Sequence, residues 1–242
     1  MRRYDEIDIL KGVAVICMMV FHFYYFPNQY GFKEIKYDTV TLKTIAKVAQ
    51  IIFITCVGIN LVFAKHKNSD PKVHLQRVIK LSLYAMLMSL FTYHVFGDKY
   101  VKFGILHFVA FSSLVLFHFV DDFNKMKIIT ATIFIIYILN TMFPELFRII
   151  PQPFAFIGGF YNDRYSAVDH FPIIPWILLI CLGTFIGHNL LQNEYKSYDV
   201  FVKNPLSDIL KNIGKKSLEI YAVHWIILYL SLIHISEPTR PY

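Results

Sequence analysis

The sequence predicts an all-α polytopic membrane protein, a transmembrane helical bundle of about seven spans. Apolar residues make up 56% of the 242 residues and charged residues only 17%, against roughly 45–50% and about 25% in soluble domains. The mean hydropathy is +0.47. A bilayer core about 30 Å thick needs about 20 apolar residues at 1.5 Å each. Seven stretches meet or approach that length: about 10–26, 43–64, 78–96, 102–120, 127–143, 171–191 and 217–235.

The first apolar stretch is expected to be a retained span rather than a cleaved signal peptide. It follows Arg2 and Arg3, but it has no small-x-small cleavage site and it ends in the bulky run from Phe21 to Phe26, which a signal peptidase site does not have. The three cysteines, Cys17, Cys56 and Cys181, all fall within predicted spans. They are expected to be packing residues, because their spacing matches no metal site.

The positions of the lysine and arginine residues favour a cytoplasmic N-terminus. Cytoplasmic loops carry an excess of these residues, and this orientation places most of the 24 on the inner side. The net charge of +7 is then explained by topology and by contact with membrane lipids. No basic run is combined with a nucleic-acid-binding motif, so nucleic acid is not expected as a partner. A homo-oligomer remains open.

Histidines within the predicted spans are the first candidates for a functional site. His22 lies roughly 18 Å from the inner face, and His107 lies roughly 8–9 Å below the outer face. The two therefore share the outer half of the bilayer, with Asp169 and His170 at the outer mouth of the sixth span. Ionisable groups inside a bilayer usually face a cavity, although a single buried histidine is often only bonded to a neighbouring helix.

A second set of candidates lies toward the inner face. Arg77 and Lys80 are three residues apart on one helical face, where together they could bind a phosphate-bearing ligand. Contact with lipid headgroups is the alternative explanation for such residues. The inner candidates are Asp8, Lys11, Arg77, Lys80 and, in the inner third of the last span, His224.

The longest irregular connection is the outer segment from Pro144 to His170. It contains Pro151, Pro153, two glycines and the polar run 161–165. Loops of this length without regular structure commonly bind a ligand or form a lid, so the segment is either a substrate-facing loop or a surface loop without function.

Motifs in five predicted spans carry a resemblance to a known family. Each motif stands in the order in which the family has it: Glu6-Ile-Asp8-Ile-Leu-Lys11-Gly12 followed by Met18-Met-Val-Phe-His22, Phe53-Ile-Thr-Cys-Val-Gly58, Lys102-Phe-Gly104-Ile-Leu-His107, Asp169-His-Phe-Pro172 with Gly183-x-x-x-Gly187, and Ile213-Gly214-Lys-Lys-Ser217 through His224. Together they resemble the bacterial members of the heparan-alpha-glucosaminide N-acetyltransferase-like membrane family. The resemblance covers nearly the whole chain to Tyr229.

The resemblance implies an enzyme that moves an acetyl group from cytosolic acetyl-CoA to an acceptor across the membrane. The acceptor would be an amino sugar or another glycan, and the enzyme would lie in the inner (plasma) membrane of a bacterium. His22 falls where the lysosomal members have an active-site Asn. Their catalytic His follows in the first outer loop, where this chain has Lys33.

The functional hypothesis assigns acid–base chemistry to the outer set and cofactor binding to the inner set. His22, His107 and Asp169 are the catalytic candidates, since an imidazole near neutrality can take a proton from an attacking amine or hydroxyl. Asp8, Lys11, Arg77, Lys80 and His224 are the candidates for binding acetyl-CoA, and no metal is expected. Direct transfer and a transient acetyl-histidine both remain open.

The alternatives to an acetyltransferase are a permease or lipid-flipping protein and a structural or sensory membrane protein.

The end of the chain is expected not to be native sequence. The run Leu230-Ser-Leu-Ile-His-Ile-Ser-Glu-Pro-Thr-Arg-Pro resembles a translated sequencing adapter, and such scars are excluded from fold arguments. The expected organisation is therefore a membrane acyltransferase-like domain over 1–229 and an artefactual tail over 230–242.

Overall fold

A computed structural model of the protein describes residues 4–29, 32, 34–147, 152–158, 167–193 and 204–236. The described residues are mostly helical, with 3₁₀ turns at Gly97–Lys99 and Gln152–Ile157 and an isolated parallel bridge between Phe103 and His170. The α-helices are α1 (Asp5–Gln29), α2 (Val40–Lys67), α3 (Pro71–Phe96), α4 (Ile105–Leu116), α5 (Phe123–Met142), α6 (Pro144–Phe147), α7 (Ile173–Gln192), α8 (Pro205–Lys215) and α9 (Ser217–Ser236).

Six of the described helices are long and apolar enough to cross a membrane. They are α1, α2, α3, α5, α7 and α9. In a bilayer every backbone N–H and C=O group must find a partner within the protein, and a helix provides those partners along its own length. The prediction of an all-α polytopic membrane protein is confirmed.

The fourth predicted span is shorter than expected. Helix α4 has 12 residues, about 18 Å of helix, whereas the sequence predicted a span over 102–120. Residues 117–121 form turns after the helix, and before it Phe103 pairs with the segment that leads into α7. The Phe171 N–H donates to the Phe103 carbonyl at 2.9 Å, and the Val168 N–H donates to the Lys99 carbonyl at 2.8 Å.

Two compact units make up the chain. The first comprises Met1–Cys56 with Lys196–Tyr242, and the second comprises Val57–Tyr195. The first unit therefore contains α1, α8 and α9, with the N-terminal part of α2. The second contains the rest of α2 and helices α3 to α7.

Helix α8 packs closely on the beginning of α1 in the first unit. A side chain at Gly12 would collide with the backbone carbonyl of Leu210, and one at Gly214 would collide with that of Asp8. Both glycines are therefore needed for the close approach of the two backbones. The Lys211 ammonium ties the same pair of helices together, since it lies 3.3 Å from the Asp5 carboxylate.

The limits of α8 are set by local signals. The Asn204 side chain accepts a hydrogen bond from the Leu206 N–H at 2.8 Å, which is the usual bond of an N-cap residue. Pro205 occupies the first turn, where its missing N–H costs nothing. The helix ends at Lys215, and α9 begins two residues later at Ser217, so the two helices are closely connected.

Glycines also permit close packing of α2 and α7 in the second unit. A side chain at Gly58 would meet the Ile180 carbonyl, and one at Gly187 would meet Val62 at 3.1 Å and Ile59 at 3.3 Å. Small residues four apart are typical of helices that approach closely in membranes. The motif Gly183-x-x-x-Gly187 thus lies on a packed face, and the neighbouring Cys181 is buried there.

The contact between α1 and α8 gives a test of the fold. Substitution Gly214→Ala adds a methyl group where backbone atoms leave no room, so it should lower the free energy of unfolding by about 1–3 kcal/mol. This loss would appear although alanine is the better helix former by about 1 kcal/mol. Thermal and denaturant unfolding in detergent micelles would measure it.

The matched control is Asn212→Ala, an exposed position on the same helix. It should leave the protein as stable as the unchanged chain or slightly more stable. Equal stability of the two alanine variants would contradict the backbone contact.

Candidate active site

Two histidines from opposite ends of the first unit's sequence form a hydrogen-bonded pair. Nε2 of His224 on α9 lies 3.1 Å from Nδ1 of His22 on α1, and their ring centroids are 5.0 Å apart. The sequence predicted that His224 would lie nearer the inner face, apart from His22. The structure instead makes these two imidazoles a unit, which we call the His22–His224 dyad.

Hydrogen bonding assigns the tautomers of the neutral dyad. Nδ1 of His224 lies 2.6 Å from the Tyr221 carbonyl; because a carbonyl oxygen only accepts, this nitrogen carries the proton. Nε2 of His224 then accepts, and Nδ1 of His22 donates to it. The lone pair of His22 therefore resides on Nε2, the atom that could act as a base.

Aromatic side chains hold the dyad in place. The Trp225 ring centroid lies 5.1 Å from that of His22, and Phe26 contacts Trp225 edge-on at 4.7 Å. Trp225 is only 1% exposed, and Phe26 and His224 are also buried. Large buried rings leave few rotamers open, so the His22 ring has a defined position.

Near the N-terminal end of α1, Asp8 and Lys11 form an ion pair. The Lys11 ammonium lies 2.7 Å from the Asp8 carboxylate, and the Asp8 side chain is buried. The sequence predicted Lys11 as a phosphate ligand. In this arrangement the lysine is neutralised by its neighbour one helical turn away, so the pair presents no net charge to an anion.

His107 lies in the second unit and has a polar environment of its own. Ser89 on α3 donates to the Val101 carbonyl at 2.6 Å, and the Ser89 hydroxyl lies 3.3 Å from Nε2 of His107. Since the hydroxyl proton is already used, the histidine Nε2–H donates to Ser89. Nδ1 of His107 is buried and has no hydrogen-bond partner among the described residues. A buried nitrogen with a lone pair is thus present here as well.

Asp169 caps the N-terminus of α4. Its carboxylate accepts the Ile105 N–H at 3.1 Å, and a side chain at Gly104 would collide with it. Burial raises the pKa of the Asp169 carboxyl to about 6, although the Ile105 N–H acts in the opposite direction. The predicted role of Asp169 was to position an acceptor, and the structure adds a local role at the helix terminus.

Arg77 and Lys80 lie in the first part of α3 and are both exposed. The Lys80 ammonium lies 5.8 Å from the centre of the Tyr84 ring. Two positions on the neighbouring face of this helix, His74 and Val78, are buried. Both cations are therefore exposed on α3, three residues apart, and their binding of a phosphate stays a prediction.

Sequence reasoning missed a stack of three side chains, Lys65, Phe117 and His74, near the beginning of α3. The His74 ring lies parallel to that of Phe117 at 3.7 Å, and the Lys65 ammonium lies 4.6 Å from the Phe117 centroid. Nε2 of His74 donates to the Ser113 carbonyl at 3.0 Å. No signal in the sequence links these residues, because they come from α2, α3 and the turn that follows α4.

Several predicted features cannot be compared with the structure. Lys33, the polar run 161–165 and residues 237–242 lie outside the described residues. The predicted pairing of His22 with His107 stays a prediction, since the first residue belongs to the first unit and the second to the second unit.

A comparison with protein families gives one match over most of the chain. The family model described as heparan-alpha-glucosaminide N-acetyltransferase, catalytic, matches residues 3–226. A search of curated proteins and a search of solved structures gave no match. The matched range includes the His22–His224 dyad, His107, Asp169 and the exposed cations of α3.

The pKa of Asp169 can be tested through the pH dependence of stability, with Asp122, which caps α5, as the comparison. The folded-state pKa of Asp169 is raised above its ordinary value of 3.8, so the folded protein binds the proton more tightly and loses stability as the pH rises from about 4 to about 6. Asp169→Asn removes this titration and should gain stability over the unchanged protein in that window, by up to about 3 kcal/mol. Thermal unfolding from pH 4 to 7 would show it.

Asp122→Asn is the matched control, since Asp122 caps α5 through the Asn124 and Lys125 N–H groups at 3.0 Å. Backbone and side-chain hydrogen bonds from Lys125 hold the pKa of Asp122 below its usual range. The stability that this carboxylate contributes is present above the ordinary aspartate pKa of 3.8, so from pH 4 to 7 this variant should be less stable than the unchanged protein by a nearly constant amount. If the stability difference from the unchanged protein changed with pH in the same way for both variants, the opposite pKa shifts assigned to Asp169 and Asp122 would be wrong.

Proposed function

Because the chain belongs to the heparan-alpha-glucosaminide N-acetyltransferase catalytic family, we propose that it transfers an acetyl group from cytosolic acetyl-CoA to an amino sugar or other glycan acceptor on the outer side of a bacterial plasma membrane. The family is one of membrane acetyltransferases, and six described helices are suited to cross a bilayer. The N-terminus is assigned to the cytoplasm because of the lysine and arginine distribution.

The observation that carries the proposal is the His22–His224 dyad. An activated general base requires a lone pair that faces the reaction and a partner that stabilises the protonated form. We assign the first role to Nε2 of His22 and the second to Nε2 of His224, which lies 3.1 Å from Nδ1 of His22. The Tyr221 carbonyl fixes the orientation of His224 in turn.

In the proposed reaction, the acceptor amine attacks the carbonyl carbon of the thioester. The new C–N bond forms as the C–S bond breaks, and the sulfur leaves with the bonding electron pair as the CoA thiolate. Nε2 of His22 takes the proton that the amine loses and delivers it to the thiolate. While His22 is protonated, its Nδ1–H makes a charge-assisted bond to His224, which is stronger than a neutral one.

His22 could also act as a nucleophile, because the same lone pair can attack the thioester. The product would be an acetyl-imidazole, from which the amine would take the acetyl group. We propose the direct route as the simpler one, and acid trapping of labelled protein after exposure to acetyl-CoA alone would distinguish the two.

The remaining candidate residues are assigned supporting roles. Arg77 and Lys80 would bind the phosphates of CoA, since both are exposed on one side of α3 and arginine binds phosphate in bidentate fashion. His107, with its buried Nδ1, is proposed as a second acid–base group, and Asp169 as a group that positions the acceptor. The Asp8–Lys11 pair would line the CoA site without adding net charge.

The experiment that tests this function is acetyl transfer from labelled acetyl-CoA in proteoliposomes, with an amino sugar as acceptor. His22→Ala should lower kcat by about two to four orders of magnitude, the usual range for a positioned acid–base group, and should leave the KM for acetyl-CoA nearly unchanged. Arg77→Ala should mainly raise that KM, because a hydrogen bond to a charged group is worth roughly 1.5–3 kcal/mol.

The matched controls are two exposed positions on α3, His94→Ala and Gln76→Ala, which should retain the kinetic constants of the unchanged protein. Transport of the sugar without any transfer of label would instead establish a permease. Loss of kcat in Arg77→Ala with an unchanged KM would remove Arg77 from the CoA site.

A further inference from the structure

An apolar groove runs along the surface of the first unit between α1 and α9. Its volume is about 510 Å³, and Ile16, Val20 and Phe23 of α1 and Ile227 of α9 contribute to its walls. Phe23 is 64% exposed and Ile227 57% exposed. Both helices are long and apolar enough to cross a membrane, so the groove lies where a bilayer supplies hydrocarbon rather than water.

The dimensions and chemistry of the groove suit a hydrocarbon chain. The wall formed by α1 extends from Ile16 to Tyr24, which is roughly 12 Å along the helix axis. Apart from Tyr24 and His224, the lining side chains are aliphatic, Phe or Met. A water-soluble sugar would find few hydrogen-bond partners on these walls, and its polar groups would be costly to desolvate there.

His224 connects the groove to the dyad. Its side chain lines the groove, and its Nε2 lies 3.1 Å from Nδ1 of His22. A molecule whose chain lies against α1 and α9 therefore lies beside His224, which is the hydrogen-bond partner of His22. Amphiphiles combine the required parts, an apolar chain for the groove and a polar headgroup for the dyad.

We propose that the acetyl acceptor is an amphiphile, an amino sugar or glycan attached to a lipid, whose hydrocarbon chain lies in this groove while its headgroup reaches the His22–His224 dyad. The inference rests on the proposed acetyltransferase function and specifies its substrate class. The acceptor enters sideways from the bilayer, and the groove selects it by its chain.

The test compares two acceptors with the full chain in nanodiscs and labelled acetyl-CoA: free glucosamine and glucosamine joined to a long alkyl chain. The unchanged protein should acetylate the alkyl glucosaminide with the higher kcat/KM. Val20→Trp and Ile227→Trp fill the groove from different helices, and each should lower the ratio of the two kcat/KM values at least about tenfold, as the loss of apolar pocket contacts does.

The control is Leu87→Trp on α3, a position that is 60% exposed and lies outside the groove. This variant should retain the ratio of the unchanged protein. Because each ratio is measured within one preparation, partial loss of folded protein does not change it.

The outcomes separate this inference from the function on which it rests. Equal kcat/KM values for both acceptors, or an unchanged ratio in both groove variants, would overturn the lipid-linked acceptor and leave the acetyltransferase standing. In that case the groove holds bilayer lipid as a passive filler. No transfer to either acceptor would overturn both proposals.

Discussion

The close approach of α1 and α8 is the constraint on which the rest of the first unit depends. Gly12 and Gly214 allow the two backbones to touch at Leu210 and Asp8, and this fixes α8 along the beginning of α1. Since α9 starts two residues after α8 ends, the same contact determines where α9 begins. The register of His224 against His22 is thus a consequence of glycines that lie about 10 residues away from each histidine in the sequence.

A dyad of two histidines has advantages within a bilayer over a histidine with a carboxylate. An isolated ionised group in hydrocarbon is expensive, whereas two neutral imidazoles can satisfy each other through one N–H and one lone pair. The Tyr221 carbonyl accepts the remaining proton of His224. The unit is therefore neutral at rest, and a positive charge arises only when His22 takes a proton.

Sequence reasoning predicted the helices better than the contacts between them. The apolar stretches determine the spans, because a span depends only on the length and hydropathy of its own residues, which must match the thickness of the bilayer. The late start of α4 was not predictable, because Phe103 forms a bridge with His170, which is far along the chain. Likewise, depth along a helix could suggest that His22 is in the membrane, but only the packing of α8 and α9 shows that its partner is His224.

The sequence identified Asp169 as a candidate site residue but did not predict its bond at the N-terminus of α4. An aspartate at the mouth of a span was a candidate on chemical grounds alone. Its bond to the Ile105 N–H depends on the extended segment before α4, which no helical pattern indicated. The capping bond and an acceptor-positioning role are compatible, because a carboxylate has lone pairs beyond the one used by the helix.

The measurement that tests the central claim most directly is a double-mutant cycle on kcat with His22→Ala, His224→Ala and the combined variant. If the two imidazoles act as one unit, His224 has no catalytic effect once its partner is gone, so the double variant should be no slower than His22→Ala alone. Losses that multiply in the double variant would show that the two histidines act independently, and would contradict the dyad.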